Sequence, residues 1–318
     1  MVSTFDFRAK LKVGFRAGVG RGWSSYIWIC KIIVPISFLV ALIQWSGWLY
    51  RADFLFEPLM RLIHLPSEAA LPIIIGIVIN LYATIATMAV MPFTIEQMTL
   101  IAVFTLIAHN LIAEGIIQFR SGINIAKITF IRIGVAILTV LIISPFLGDT
   151  TASITVPSEL VVHAPFLEVL KGWAIGTVNL LIKIFVIIMV IMIMLETLRQ
   201  SGWIEYLFRF SKPFMKFLGL SNRTAILWVT AVAFGLLYGG AVIVEEVKQR
   251  DLTKSELEHL HISIGINHSM VEDPSLFLAL GLNAFWLWVP KFLMAAITVQ
   301  AAKGLEYLKK RINLASSG

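Results

Sequence analysis

One stretch in a chain of long apolar runs resists burial: His268-Ser269-Met270-Val271-Glu272-Asp273-Pro274. Ile262 to Ile266 runs up to it and Leu276 to Leu282 runs on from it, so the polar residues fall where a bilayer core is expected. A charge at that depth costs roughly 2.5–3.5 kcal/mol on insertion scales. Pro274 lacks an N–H and disturbs the helical turn before it. Irregular backbone inside a membrane persists only where it is buried in protein or lines a cavity. The pattern occurs twice. His109-Asn110-Leu111-Ile112-Ala113-Glu114 overlays the first stretch without gaps, placing His109 on His268 and Glu114 on Asp273. Two copies of a costly feature favour function over accident.

Hydrophobic residues make up 58% of the chain and charged residues 14%, with a mean hydropathy of +0.86. Soluble domains are nearer half apolar and a quarter charged, so the chain is a polytopic membrane protein whose first partner is the lipid bilayer. A single cysteine, Cys30, excludes an internal disulfide and a cysteine metal cage. The net charge of +7 comes from Lys and Arg beside apolar spans. The positive-inside rule accounts for them, and nucleic acid is not an expected partner. Residues 1–22 are basic and amphipathic, with no signal-type apolar core, and read as a cytoplasmic interfacial helix.

The chain divides into two halves of the same order. In the first, residues 23–147, an apolar span from Ser24 to Tyr50 precedes an amphipathic segment, Ala52 to His64. A segment broken by Pro72 and Gly76 follows, Ala69 to Met91, then the His109–Glu114 segment and a span from Ile123 to Leu147. A polar connection, 148–165, leads to the second half, 166–303. There the order is Phe166 to Leu198, amphipathic Trp203 to Leu218, glycine-broken Ala225 to Val244, the His268 segment, and a last span from Asn283 to Ala302. Residues 304–318 form a basic tail. Internal repeats of this kind are common in transporters.

Charge bias decides whether the broken segments cross. If both turn back as re-entrant hairpins, the connection 148–165, which has no Lys or Arg, lies outside. Arg120, Lys127 and Arg132, the cluster from Arg199 to Arg223, and both termini then lie inside, as the rule requires. Full crossings would invert this pattern. With hairpins, each half has three crossings, so the second half is inserted upside down relative to the first. The expected fold is all-α, with two inverted-topology repeats. Each has three transmembrane helices, an interfacial amphipathic helix and a re-entrant hairpin whose tip reaches the midplane.

Gly235-Leu-Leu-Tyr238-Gly239-Gly240, its counterpart Ile79-Asn80-Leu81-Tyr82-Ala83 and the order of elements resemble the Gate, or "nucleoside recognition", superfamily. That superfamily includes bacterial spore maturation membrane proteins, the pore region of ferrous-iron permeases and, more distantly, concentrative nucleoside transporters. The resemblance covers Trp23 to Ala302. It implies hairpin tips at Asn80 and Tyr82 and at Tyr238, Gly239 and Gly240, and a place in the bacterial cytoplasmic membrane. The scaffold helices of nucleoside transporters are missing, as are the GTPase domain and pore cysteines of ferrous-iron permeases.

His109, Glu114, His268, Glu272 and Asp273 are the candidate cation ligands. Spacing of four puts His268 and Glu272 on one helix face, and imidazole with carboxylate suits Fe, Mn, Zn or Co. The same groups can relay protons or simply bridge the repeats by mutual hydrogen bonds. Asn110, Asn267 and Ser269 either contact a polar solute or satisfy backbone freed at the breaks. Tyr82 and Tyr238 either face the cavity or pack at a turn, and Gly239 and Gly240 permit the turn itself. No phosphate loop, zinc-protease helix or nucleophile elbow is present. Ser269 adjoins His268 rather than facing it, so an intramembrane hydrolase is disfavoured, and the chain reads as a non-enzyme without a tightly bound cofactor. The leading expectation is an alternating-access carrier of a divalent cation. The alternatives are an H+- or Na+-coupled carrier of a nucleoside or other polar metabolite, and a non-transporting partner in envelope assembly. Aromatic interfacial helices suit a homo-oligomer.

Overall fold

The computed structural model describes residues 4–47, 53–148, 150–151, 165–249 and 252–315. All its regular secondary structure among these residues is helical, and five helices are long and apolar enough to cross a membrane. The chain is therefore a polytopic membrane protein. Most of the connection 148–165 lies outside the described residues.

Helix α1 (Thr4–Trp45) runs antiparallel to α8 (Phe166–Gln200). Residues 4–22, expected to belong to a separate interfacial N-terminal helix, are instead the first part of α1. The reason is a stripe of small residues. A Cβ on Gly14 would lie 2.7 Å from the Cα of Thr197, and one on Gly18 would lie 2.5 Å from the Cα of Ile193. Glycines at this spacing let two backbones touch, which is how helices associate where lipid removes the hydrophobic drive.

Helix α2 (Asp53–Leu62) is amphipathic, with Phe54 and Leu55 exposed. The chain then bends by 88° into α3 (Ala70–Val78) and α4 (Leu81–Met88). The hydroxyl of Thr84 donates to the carbonyl of Pro72 at 3.1 Å. Twelve residues of straight helix would span about 18 Å, so the chain doubles back between α3 and α4. Asn80 forms the turn, and its side chain accepts from the N–H of Ala83 at 3.0 Å. Gly76 permits the close approach, since a Cβ there would lie 2.4 Å from the hydroxyl of Thr84.

Helices α5 (Ile95–Ile107) and α6 (Leu111–Arg120) are separated by the His109 break, and α7 (Ile125–Ile143) follows. Helix α9 (Ile204–Phe217) is the second amphipathic helix. Helix α10 (Ala225–Gln249) is interrupted at Gly235, where φ is 75° and ψ is 169°. Only glycine adopts that conformation readily. The break thus falls at Gly235, and Tyr238, Gly239 and Gly240 lie on the helix that resumes beyond it. Helix α11 (Lys254–Asn267), the His268 break, α12 (Glu272–Phe277) and α13 (Ala284–Ala315) complete the chain.

Local geometry recurs at the 159-residue separation of His109 and His268. Thr94 and Thr253 each close a capping box. Asn110 (φ 49°) and Ser269 (φ 50°) are both left-handed, as are Gly122 and Gly281 at 85°.

Candidate functional site

Both histidines sit where a helix stops. A broken helix leaves N–H and C=O groups without intrahelical partners, and here each is satisfied by a neighbouring element. The N–H of Asn110 donates to the carbonyl of Gly76 at 2.8 Å, and that of Ser269 to Ala231 at 3.0 Å. Gly76 lies four residues before Asn80, and Ala231 lies four before Gly235, so each interrupted segment caps one break. On the carbonyl side, Arg132 donates to Ile107 at 2.9 Å and to His109 at 3.0 Å. Lys291 donates to the carbonyl of His268 at 2.9 Å, the same 23 residues downstream of its histidine.

The rings are fixed by the helices that carry them. Nδ1 of His109 lies 2.8 Å from the carbonyl of Thr105, and Nδ1 of His268 lies 2.9 Å from that of Ile264. A carbonyl only accepts, so Nδ1 carries a proton in both rings and Nε2 of each ring is turned to the centre. The two Nε2 atoms face each other at 3.3 Å. Glu114 Oε1 lies 3.0 Å from Nε2 of His268 and 3.4 Å from Nε2 of His109, which is also 3.4 Å from Asp273 Oδ2. Glu114 Oε2 is held by Arg132 at 2.6 Å. Two Nε2 atoms and two carboxylates thus face one another. Among the described residues, the ligand atoms of His109, His268 and Asp273 lie within 4.8 Å of one another, close enough for one ion to reach all three.

A cavity of about 470 Å³ opens onto these groups. Asn80, Tyr82, Asn110, Ser269 and Glu272 also line it, with Trp28 and Phe234. Asn267 does not. It is fully buried, and among the described residues its amide has no hydrogen-bond partner. The side chain of Tyr238 lies outside the described residues. Glu272 behaves differently from the other carboxylates. The break at Ser269 separates it from His268, so the shared-face expectation fails. Its Oε1 instead accepts from the hydroxyl of Tyr82 at 2.6 Å.

Arg132 and Lys291 were not expected in the site. Arg132 reads in the sequence as an inner-face charge, yet it is 1% exposed and holds the centre together. Their signal was available: each is a cation inside an apolar span, 23 residues after its histidine.

The chain is 29% identical over 303 residues to the uncharacterized membrane protein YvoD of Bacillus subtilis, covering 92% of this chain and 94% of that protein. A shorter stretch of 69 residues is 33% identical to the Fe(2+) transporter FeoB of Legionella pneumophila. It covers 22% of this chain and only 9% of FeoB. No family model matches, and no solved structure matches.

Proposed function

We propose that the protein is an alternating-access carrier of a divalent transition-metal cation, held between His109 and His268 with Asp273 and Glu114. The observation that carries this reading is the pair of Nε2 atoms facing each other at 3.3 Å, with Glu114 and Asp273 within 3.4 Å. Two imidazole nitrogens this close share a proton or a cation. A tetrahedral ion with bonds near 2.1 Å needs ligand atoms about 3.4 Å apart; the spacings around His109 Nε2 are 3.3, 3.4 and 3.4 Å, His268 Nε2 to Glu114 is 3.0 Å, and His109, His268 and Asp273 lie within 4.8 Å of one another. Both rings are oriented by an Nδ1–H···O=C bond, the usual outer support of a metal-bound imidazole. The partial likeness to an Fe(2+) transporter makes Fe(2+) the first cation to try.

The chain is read as two inverted Gate-like repeats in a bacterial cytoplasmic membrane, with both termini inside. The α11–α12 segment supplies the sixth crossing. The recurrence at 159 residues and the doubling back of α3 on α4 support this arrangement. An assembly protein would close on a dry, packed centre, whereas this centre opens on a cavity. That cavity also has the size of a small-molecule site, which keeps a polar metabolite as the second reading. No catalytic step is assigned.

The test is thermal unfolding of the purified protein with Mn(II), Fe(II), Co(II) and Zn(II), and separately with nucleosides. It uses the wild type and the double variant His268→Ala/Asp273→Ala. A ligand that binds only the folded state raises stability as ln(1 + [L]/Kd). The expected result is a metal shift in the wild type that vanishes in the variant. A nucleoside shift without a metal response would favour the second reading.

A further inference from the structure

A second cavity, of about 630 Å³, adjoins the first. Ser25, Trp28, Phe234 and Glu272 line both. Its far end is formed by Glu196, which is 3% exposed and pairs with Arg21 and, at 3.5 Å, with Arg199. From Arg21 to Trp28 the second cavity follows α1 for seven residues, about 10 Å of helix. Arg21, Glu196, Arg199 and Glu272 place charged and polar groups among the apolar walls of this space, where water and solute can be held.

The four shared residues form the partition between the two cavities, and Glu272 is the carboxylate among them. Trp28 stands edge-on to Tyr82, with ring centroids 5.2 Å apart, and Tyr82 holds Glu272. Among the described residues, the bond from Tyr82 is the one hydrogen bond the Glu272 carboxylate makes. Glu272 is also the chain neighbour of Asp273, which faces His109. One backbone step therefore separates a carboxylate on the partition from a carboxylate on the histidine centre.

We propose that the second cavity is the access vestibule of the histidine centre, and that Glu272 is the ligand that passes a divalent cation across the partition. This rests on the cation reading above. A hydrated cation in the vestibule meets Glu272 before it meets the ligands of the centre. Exchange of the Tyr82 hydroxyl for the cation frees the carboxylate to swing without breaking a covalent bond. Trp28 and Phe234 fill the rest of the partition and must yield as the cation passes. Glu272 is thus a residue of the path, distinct from the ligands of the resting site.

The experiment uses Mn(II) as the probe and measures two quantities on the same preparations. Binding is read as the Mn(II)-dependent thermal shift, and transport as Mn(II) uptake into proteoliposomes. For Glu272→Gln, uptake falls at least about tenfold while the apparent Kd stays within about threefold of wild type. In a Cys30→Ser background, Thr230→Cys lines the vestibule alone. Labelling it with a cationic methanethiosulfonate lowers uptake relative to the same protein unlabelled. Unchanged uptake in E272Q, or a Kd loss as large as that of Asp273→Asn, would overturn the proposal while leaving the cation reading standing. Full labelling of T230C without loss of uptake would do the same. Absence of any Mn(II) shift in the wild type would remove the cation reading and this proposal with it.

Discussion

Replacing Arg132 by Ala should be among the most damaging single changes in the membrane core. Its guanidinium makes three buried hydrogen bonds, to Glu114 at 2.6 Å and to the carbonyls of Ile107 and His109 at 2.9 and 3.0 Å. Removing one partner of a buried ion pair costs about 3–5 kcal/mol, because the other charge is left without compensation. Each orphaned carbonyl adds about 1–3 kcal/mol when nothing replaces the donor. These costs overlap, so the expected loss is at least about 4 kcal/mol. At roughly 2–4 °C per kcal/mol for a chain approaching this size, thermal unfolding in detergent should fall by about 10 °C. Arg132→Lys keeps the charge but offers one amine for three acceptors, as Lys291 does for its single carbonyl, and should fall between. The diagnostic variant is Arg132→Met with Glu114→Gln. It removes both charges and should recover about half of the loss. A loss below about 1 kcal/mol for R132A, or a double variant no more stable than the single one, would refute the pairing as described.

Other expectations follow from backbone geometry. Gly18→Ala should be more destabilising than Gly22→Ala in thermal unfolding. The added methyl meets the Ile193 backbone at 2.5 Å in the first case, and in the second it first meets the flexible Met189 side chain at 2.7 Å. Gly235→Ala should cost about 1–3 kcal/mol and reduce transport, because it forces a side chain into φ 75° beside Ser269. Thr94→Ala and Thr253→Ala should each cost about 1 kcal/mol in thermal unfolding through loss of a capping box.

The core of the site was legible because its cost was written twice. His109 with Glu114 and His268 with Asp273 stand at the same spacing, and the chain brings all four side chains within ion-pair reach. Element order was legible from apolar run lengths, and the amphipathic helices fell within two residues of expectation at each end. What failed did so for identifiable reasons. Arg132 was counted with the loop charges, since a sequence does not show how far into a span a cation sits. Glu272 was placed with His268 on a helix that the left-handed Ser269 interrupts. The turn in α10 was expected at Tyr238, Gly239 and Gly240, yet the backbone leaves the helix at Gly235, where φ is 75° and a Cβ would lie 3.4 Å from Ser269. The basic N-terminus read as interfacial because amphipathicity hides a glycine stripe that packs α1 against α8. Asn267 adjoins His268 in sequence yet lies off the cavity, because the helix ends between them.

The central claim is that a divalent cation sits between two imidazoles. X-ray absorption at the zinc edge of the Zn(II)-loaded protein tests it most directly. The expected result is one bound ion per chain in a four-coordinate nitrogen and oxygen shell near 2.0–2.2 Å, with the multiple-scattering signature of two imidazoles, lost in His109→Ala/His268→Ala. A six-oxygen hydrated shell, or retention of the signature in that double variant, would contradict it.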